Sequence, residues 1–176
     1  GGLGDDILHG QSGHDKLEGG EGNDTLTVDG SGNNTLDGGA GDDTLKVNRT
    51  TNHSYQKAHS SAASNTFIGG LGNDRLEGAV GADIYVFNTG DGHDTINDYD
   101  IRHVWGGSYN KKDQIVLGEG ITQDALTIRR DGNHMVLVIG GGDSGDSITI
   151  ENAYTDGRYR IEEIVLADKT VIAGTA

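Results

Sequence analysis

Apolar residues return at a fixed spacing along the first half of the chain. Read nine residues at a time, with small insertions at Val28 and at residues 87–88, the sequence aligns in nine blocks from Gly1 to about residue 97. One inward side chain between two outward ones describes a very short strand, which is unstable alone. Stacked coils bury such residues as a continuous column, so the pattern predicts a solenoid. The eighth position is apolar in every block: Leu8, Leu17, Leu26, Leu36, Leu45, Phe67, Leu76, Tyr85 and Ile96.

The pattern changes after residue 97, where ordinary strand signals replace the nine-residue period. Segments such as "DQIVL", "ALTIRR" and "HMVLVI" predict short strands, with a hairpin turn at Asp131-Gly132. Thr122 is a candidate cap for one helical turn at 123–126, and "RIEEIVLADKTVI" predicts two strands or a short helix and a strand. Because a solenoid end exposes an unpaired edge, residues 98–176 are predicted to form a small β-rich cap.

One long insertion, "VNRTTNHSYQKAH" at residues 47–59, interrupts the repeat. The register resumes with Phe67, so we expect the insertion to loop out without breaking the solenoid. It is polar and basic in an acidic chain, which is compatible with a plain surface bulge or with a loop that contacts a partner. The predicted fold is all-β: a right-handed parallel β-roll over residues 1–97, followed by the cap.

The other repeat positions carry acids and glycines. The sixth position reads Asp6, Asp15, Asp24, Asn34, Asp43, Asn65, Asp74, Asp83 and Asp94. In a solenoid, blocks two apart share an edge at a spacing of about 4.8 Å, where stacked carboxylates repel unless a cation lies between them. Ca²⁺ binds six to eight hard oxygen ligands, and both carboxylates and turn carbonyls are ligands of this kind. Zn²⁺ would instead require His or Cys. The predicted turn ligands are Gly1, Gly2, Gly4, Gly10, Gly13, Gly19, Gly20, Gly22, Gly38, Gly39, Gly41, Gly69, Gly70 and Gly72.

The two edges differ in charge. One carries Asp6, Asp24, Asp43, Asp74 and Asp94, and the other carries Asp15, Asn34, Asn65 and Asp83. An amide offers one neutral oxygen where a carboxylate offers two charged ones. We therefore expect several Ca²⁺ ions, with most on the first edge and a gap at Asn34 and Asn65, where amide contacts or water could replace the ion.

Composition supports a fold that depends on a metal. The chain has 176 residues, 31 Gly, no Cys, and a formal net charge of −15. High charge with low hydrophobicity is typical of disorder, and disulfides cannot compensate here. We therefore expect the chain to be extended without calcium and to fold when calcium is bound.

The phrases "GGLGDDILH", "GGEGNDTLT", "GGAGDDTLK" and "GGLGNDRLE" resemble the RTX (repeats-in-toxin, haemolysin-type calcium-binding) nonapeptide. The segment from "GADIYVF" to "LADKTVI" is similar to the β-rich region that follows RTX repeats. The resemblance implies a secreted or surface-attached bacterial protein that leaves the cell unfolded through a type I secretion apparatus. The chain begins within a repeat, so we expect it to be a piece of a longer protein.

Other functions are disfavoured by the sequence. Only 13 basic residues are scattered along the chain, which argues against nucleic acid, and no apolar run approaches the length of a membrane span. No hydrolase, zinc-protease or nucleotide motif is present, so we expect no catalytic residues and no enzyme activity. The alternative is a ligand-binding module for a glycan or peptide, with Tyr99, Trp105 and Tyr109 beside Lys111 and Lys112 as its platform.

Overall fold

A computed structural model describes residues 1–29, 32–48, 63–99, 112–140, 145–155 and 157–174. These residues form sixteen β-strands and two short 3₁₀ helices, Gln123–Ala125 and Gly157–Tyr159. No helix in this part of the chain is long and apolar enough to cross a membrane. The strands are β1 Gly2–Leu3, β2 Ile7–Gly10, β3 Lys16–Glu21, β4 Thr25–Asp29, β5 Thr35–Ala40, β6 Thr44–Asn48, β7 Thr66–Leu71, β8 Arg75–Gly78, β9 Ile84–Phe87, β10 His93–Asp98, β11 Gln114–Leu117, β12 Leu126–Asp131, β13 His134–Ile139, β14 Ser147–Ile150, β15 Glu163–Val165 and β16 Val171–Ala173.

The strands make two eight-stranded sheets, and the chain alternates between them. The first sheet has the order β1-β3-β5-β7-β9-β11-β15-β16, and the second has the order β12-β13-β14-β10-β8-β6-β4-β2. Neighbours in the repeat region pair in parallel, so each pair of successive strands is one coil. The all-β parallel roll predicted from the sequence is confirmed.

The eighth-position residues form the core between the sheets. Leu36 pairs with Leu17 on one side and with Phe67 on the other, and Leu26 pairs with Leu8 and Leu45. The rings of Phe67 and Tyr85 stack with centroids 5.0 Å apart. The predicted resumption of register at Phe67 is therefore confirmed, and the column is buried from Leu26 onward.

Parallel stacking continues beyond residue 97. Strand β11 pairs with β9 and then with β15, which places Ile115 and Ile164 on top of Tyr85 in the first sheet. In the second sheet, β14 pairs with β10 and sets Ile150 against Ile96. Antiparallel strands then close both sheets, β12 and β13 on the second and β16 on the first.

The structure confirms some of the local predictions for residues 98–176 and changes others. The hairpin is confirmed: β12 and β13 are joined through Gly132 and Asn133, with Asp131 opposite His134. The predicted helical turn is a 3₁₀ helix, and the Thr122 side chain makes no capping hydrogen bond. Of the two alternatives for the last segment, the pair of strands is the one formed, as β15 and β16.

The insertion begins later than predicted. Val47 and Asn48 are the last residues of β6, because they continue the pairing of that strand with β4. Val47 is 6% exposed and lies opposite the buried Val28, so apolar burial keeps it in the strand. The prediction that both residues belong to a loop is wrong. Residues 49–59 lie outside the described residues.

Candidate metal sites

The sixth-position residues stack in two columns, one at each edge of the roll. The aspartate edge, where the chain passes from the first sheet to the second, carries Asp6, Asp24, Asp43, Asp74 and Asp94. The mixed edge, where the chain returns, carries Asp15, Asn34, Asn65, Asp83, Asp113 and Glu162. All the sixth-position ligands predicted from the sequence thus lie in these columns.

From Asp24 onward, each side chain on the aspartate edge uses one oxygen to accept a hydrogen bond from the preceding coil. The backbone N–H of Asp24 donates to Oδ1 of Asp43 at 2.7 Å, and that of Asp43 donates to Oδ1 of Asp74 at 2.8 Å. The same bond joins Asp6 to Asp24 and Asp74 to Asp94. These contacts fix each carboxylate and satisfy a backbone donor.

The second carboxylate oxygen is the unusual feature. In the described part of the chain, Oδ2 of Asp24, Asp43 and Asp74 is buried without a hydrogen-bond partner. These residues are only 1–2% exposed. A buried charge without a partner is strongly unfavourable, so a column of such oxygens calls for a cation.

First-position glycines allow these oxygens to approach the backbone closely. A Cβ at Gly38 would overlap Oδ2 of Asp43 and would lie 2.6 Å from the carbonyl oxygen of Gly69. Gly19 has the same relation to Oδ2 of Asp24 and to the carbonyl of Gly38. Carboxylate and carbonyl oxygens therefore face the same space, and this all-oxygen donor set fits Ca²⁺.

Several other predicted glycines have a left-handed backbone. Gly39 has φ +110° and packs on the carbonyl of Gly20, so a side chain there would clash as well as strain the backbone. Positive φ holds for Gly2, Gly4, Gly13, Gly20, Gly22, Gly39, Gly41, Gly70 and Gly72.

Burial also shifts the protonation of the aspartate edge. It raises the pKa of Asp43 to about 6, that of Asp74 to about 7 and that of Asp94 to about 8. The hydrogen bond from the backbone of the preceding Asp opposes each shift, and the neighbouring carboxylates add to it. Asp43, Asp74 and Asp94 therefore resist charging when no cation is present.

The mixed edge has different chemistry at its centre. Asn34 Nδ2 donates to Oδ1 of Asn65 at 3.0 Å, and Asn65 Nδ2 donates to Oδ1 of Asp83 at 2.9 Å. Oδ2 of Asp83 accepts a hydrogen bond from the backbone of Ala79 at 3.2 Å. In Asn34 and Asn65, an Nδ2 donor thus replaces the Oδ2 atom of the aspartates on the other edge.

Three buried carboxylates meet at the far end of the mixed edge. Asp83, Asp98 and Asp113 each place one oxygen within 4.8 Å of the other two, a spacing that could hold a metal ion. The Tyr85 hydroxyl donates to Oδ2 of Asp98 at 2.9 Å. Sequence reasoning missed Asp98 and Asp113, although "DQI" at 113–115 keeps the acid and the apolar residue of the repeat.

A second ladder at the fifth position was also missed. The Asp5 side chain accepts the backbone N–H of Asn23, and Asn23 and Asp42 do the same for the next coils at 2.8 Å each. These side chains serve coil pairing directly, which accounts for the Asp and Asn residues at that position.

The alternative platform is only partly described. Tyr99 accepts a hydrogen bond from Arg158 at 3.1 Å and packs edge-on against Tyr159. This contact fits the packing of a junction. Lys112 pairs with Glu163. Trp105, Tyr109 and Lys111 lie outside the described residues.

Comparisons with known proteins agree with these features. The family described as "RTX calcium-binding nonapeptide repeat (4 copies)" matches residues 1–30, 27–48 and 59–96. The "Haemolysin-type calcium binding protein related domain" matches residues 134–175. The iron-regulated protein FrpA of Neisseria meningitidis serogroup C is 39% identical over 83 residues, which are 46% of this chain and 7% of that protein.

Among solved structures, the extracellular lipase LipA from Serratia marcescens aligns over 97% of this chain and 38% of its own, with 17% identity and a TM-score of 0.38. The chain thus spans only a small part of the relative and of the solved structure it matches. The repeats, their buried oxygen columns and the two family matches together show that the chain belongs to the RTX calcium-binding repeat family.

Proposed function

We propose that this calcium-binding module folds when it binds calcium outside the cell, and that it thereby supports the export and folding of a larger secreted bacterial protein. The export would follow the type I route. The observation that carries the proposal is the column of buried Oδ2 atoms on Asp24, Asp43 and Asp74, which lack hydrogen-bond partners within the described residues. Bound Ca²⁺ would supply the positive charge and the coordination that these oxygens require.

The residues of the chain explain why folding would depend on calcium. At low calcium, stacked carboxylates repel and their burial is unfavourable, so the extended chain is preferred. When the charges are compensated, the Asp Oδ1 atoms accept the backbone N–H groups of the preceding coil and the eighth-position residues enter the core. Binding free energy thereby becomes folding free energy.

The affinity range suits a compartment switch. Extracellular calcium modules typically have dissociation constants of about 10⁻⁴ to 10⁻³ M. A chain in this range would stay unfolded in a cytoplasm with little free calcium and fold outside. The proposed role consists of binding and folding, and it includes no catalytic step.

A calcium titration followed by circular dichroism tests the proposal. We expect a largely disordered spectrum in EGTA and a cooperative gain of β-structure with Ca²⁺. Mg²⁺ at equal concentration should substitute poorly, because it prefers a tighter octahedron with several waters. A full β spectrum in excess EGTA would refute the folding switch.

A further inference from the structure

We propose that Asn34 and Asn65 exclude calcium from the centre of the mixed edge and form a cation-independent clasp between the coils on either side of the insertion. The inference deepens the proposed function, on which it rests, because it assigns calcium-dependent pairing to the aspartate edge and calcium-free pairing to the centre of the mixed edge.

The orientation of both amides follows from the backbone. The N–H of Asp15 donates to Oδ1 of Asn34 at 3.0 Å, and the N–H of Asn34 donates to Oδ1 of Asn65 at 3.3 Å. Because Oδ1 of Asn34 must face a donor, its Nδ2 points the other way and donates to Oδ1 of Asn65 and to the carbonyl of Gly32. An amide N–H₂ group repels a cation, so the place that holds Oδ2 on the aspartate edge here holds a donor.

The buried amide groups have hydrogen-bond partners without an ion. Asn34 is 3% exposed and Asn65 is 1% exposed, and the amide groups of both donate hydrogen bonds. On the aspartate edge, the equally buried Asp43 and Asp74 leave one oxygen each without a hydrogen bond in the described part of the chain. The centre of the mixed edge therefore differs from the aspartate edge in that its amide groups are hydrogen-bonded without an ion, whereas Asp15 at the start of the mixed edge keeps a buried Oδ2 without a partner among the described residues.

The first repeat position changes together with the sixth. On the aspartate edge, Gly38 and Gly69 allow Oδ2 of Asp43 and Asp74 to approach the backbone, since a Cβ at these glycines would overlap the oxygens. In the blocks of Asn34 and Asn65, the first position is Asp29 and Ser60. Both the free carboxylate oxygen and the glycine beside it are thus lost from the same blocks.

The clasp joins two coils that are separated in sequence by the insertion. Most column partners within the repeats are 18–20 residues apart, but Asn34 and Asn65 are 31 residues apart, as are Asp43 and Asp74 on the aspartate edge, because the insertion falls between them. Of these two long connections, only the one between Asn34 and Asn65 joins neutral side chains. Closing a longer connection has a larger entropic cost. Asn33 and Asn34 oppose that cost with neutral contacts: Asn33 Oδ1 accepts the N–H of Ser64 at 2.9 Å, and the Asn34 carbonyl accepts that of Thr66 at 2.8 Å.

Reciprocal double variants of the full chain test the clasp. In N34D/N65D, unneutralised carboxylates would stack beside Asp83, so the free calcium needed for half-folding should rise about threefold or more, as expected when like charges lie opposite each other. If the amides instead ligate an ion, the added charge would tighten calcium binding and lower that midpoint. The matched control, D43N/D74N, should bind fewer calcium ions per chain, as measured by calorimetry.

The outcomes separate the two hypotheses. No calcium response in the wild-type chain would refute the proposed function. A normal wild-type response with an unchanged or lower midpoint in N34D/N65D would refute only the clasp. If the double variant does not fold at any calcium concentration, a crystal structure of the calcium-loaded wild-type chain decides: an ion between Asn34 and Asn65 overturns the inference, and a direct amide contact supports it.

Discussion

At the residue scale, the two carboxylate oxygens of Asp24, Asp43 and Asp74 have separate roles. In Asp43, one oxygen accepts the backbone N–H of Asp24, and the other lies against Gly38. The sequence predicted an oxygen ligand at this position from charge and spacing alone. It could not predict the division between the two oxygens, because that division depends on the offset of successive coils.

Because Oδ2 of Asp43 lies against Gly38, the first repeat position should require glycine. In Gly38→Ala, the added methyl would overlap Oδ2 of Asp43 without changing any charge. We expect a loss of roughly 1–3 kcal/mol in the calcium-loaded state, as for other overpacked sites, with a higher calcium midpoint. Thermal unfolding in calcium and a titration by circular dichroism measure both effects.

Gly10→Ala is the matched control at the same repeat position on the mixed edge. Its nearest side-chain atoms would lie 3.0 Å from the added carbon, so they would have to give way much less. Equal calcium midpoints for the two variants would show that the close approach of Asp43 to Gly38 has no part in binding.

At the element scale, the strands could be predicted wherever the chain keeps the nine-residue repeat. Nine apolar residues in register determined the two columns, and alternate blocks share a sheet as expected. The later coils keep the inward apolar residue, for example Ile115 and Ile164, and an acid two positions earlier, Asp113 and Glu162. They lack the glycine phrase and follow connections of irregular length, so the period could not reveal them.

The second-sheet column ends differently. Ile148 lies opposite Asp94 and occupies the sixth position, while Ile150 continues the eighth-position column opposite Ile96. A buried apolar residue therefore closes the aspartate edge. The nine-residue period could not place β14 in this column, because β14 follows the antiparallel strands β12 and β13 and does not follow a repeat coil.

Three neighbouring carboxylates of the aspartate edge should make folding depend on pH. The pKa values of Asp43, Asp74 and Asp94 are raised to about 6, 7 and 8 in the folded chain, above the value of about 3.9 for an unfolded Asp. A group with a raised pKa stabilises the folded state below its unfolded pKa, and this contribution is lost as the pH rises through the folded pKa. In calcium-free buffer, β-structure should therefore increase as the pH falls from 8 towards 4.

Circular dichroism across this pH range, after removal of metal ions, measures the effect. Asp74→Asn should weaken the pH dependence, whereas Asp124→Asn, which alters an exposed residue on the first 3₁₀ helix, should leave it unchanged. Identical pH profiles for the wild-type chain and Asp74→Asn would contradict the assignment to the buried column.

At the scale of the whole molecule, the repeats and the region after residue 97 share both sheets. Charged side chains reinforce this continuity on the outer face of the second sheet. Glu77 pairs with Lys46 at 2.7 Å and with Arg75 at 2.8 Å, and Arg75 also reaches Glu151 at 3.1 Å. Exposed pairs of this kind contribute little individually, so the buried column must supply most of the connection between the two regions.

A change in the last coil should therefore alter calcium-dependent folding of the entire chain. Ile164 is fully buried and stacks on Ile115, so Ile164→Ala should lose about 2–5 kcal/mol through the cavity it creates. Since the coils of a solenoid are stabilised by their neighbours, the calcium midpoint should rise in one cooperative transition. Ile128→Ala, at a position 46% exposed on the edge strand β12, is the control and should change the midpoint little. Hydrogen exchange resolved to β4 and β6 reports whether the distant coils respond. Loss of protection confined to β11, β15 and β16, with the calcium transition of β4 and β6 unchanged, would mean that the repeats fold independently of the region that follows them.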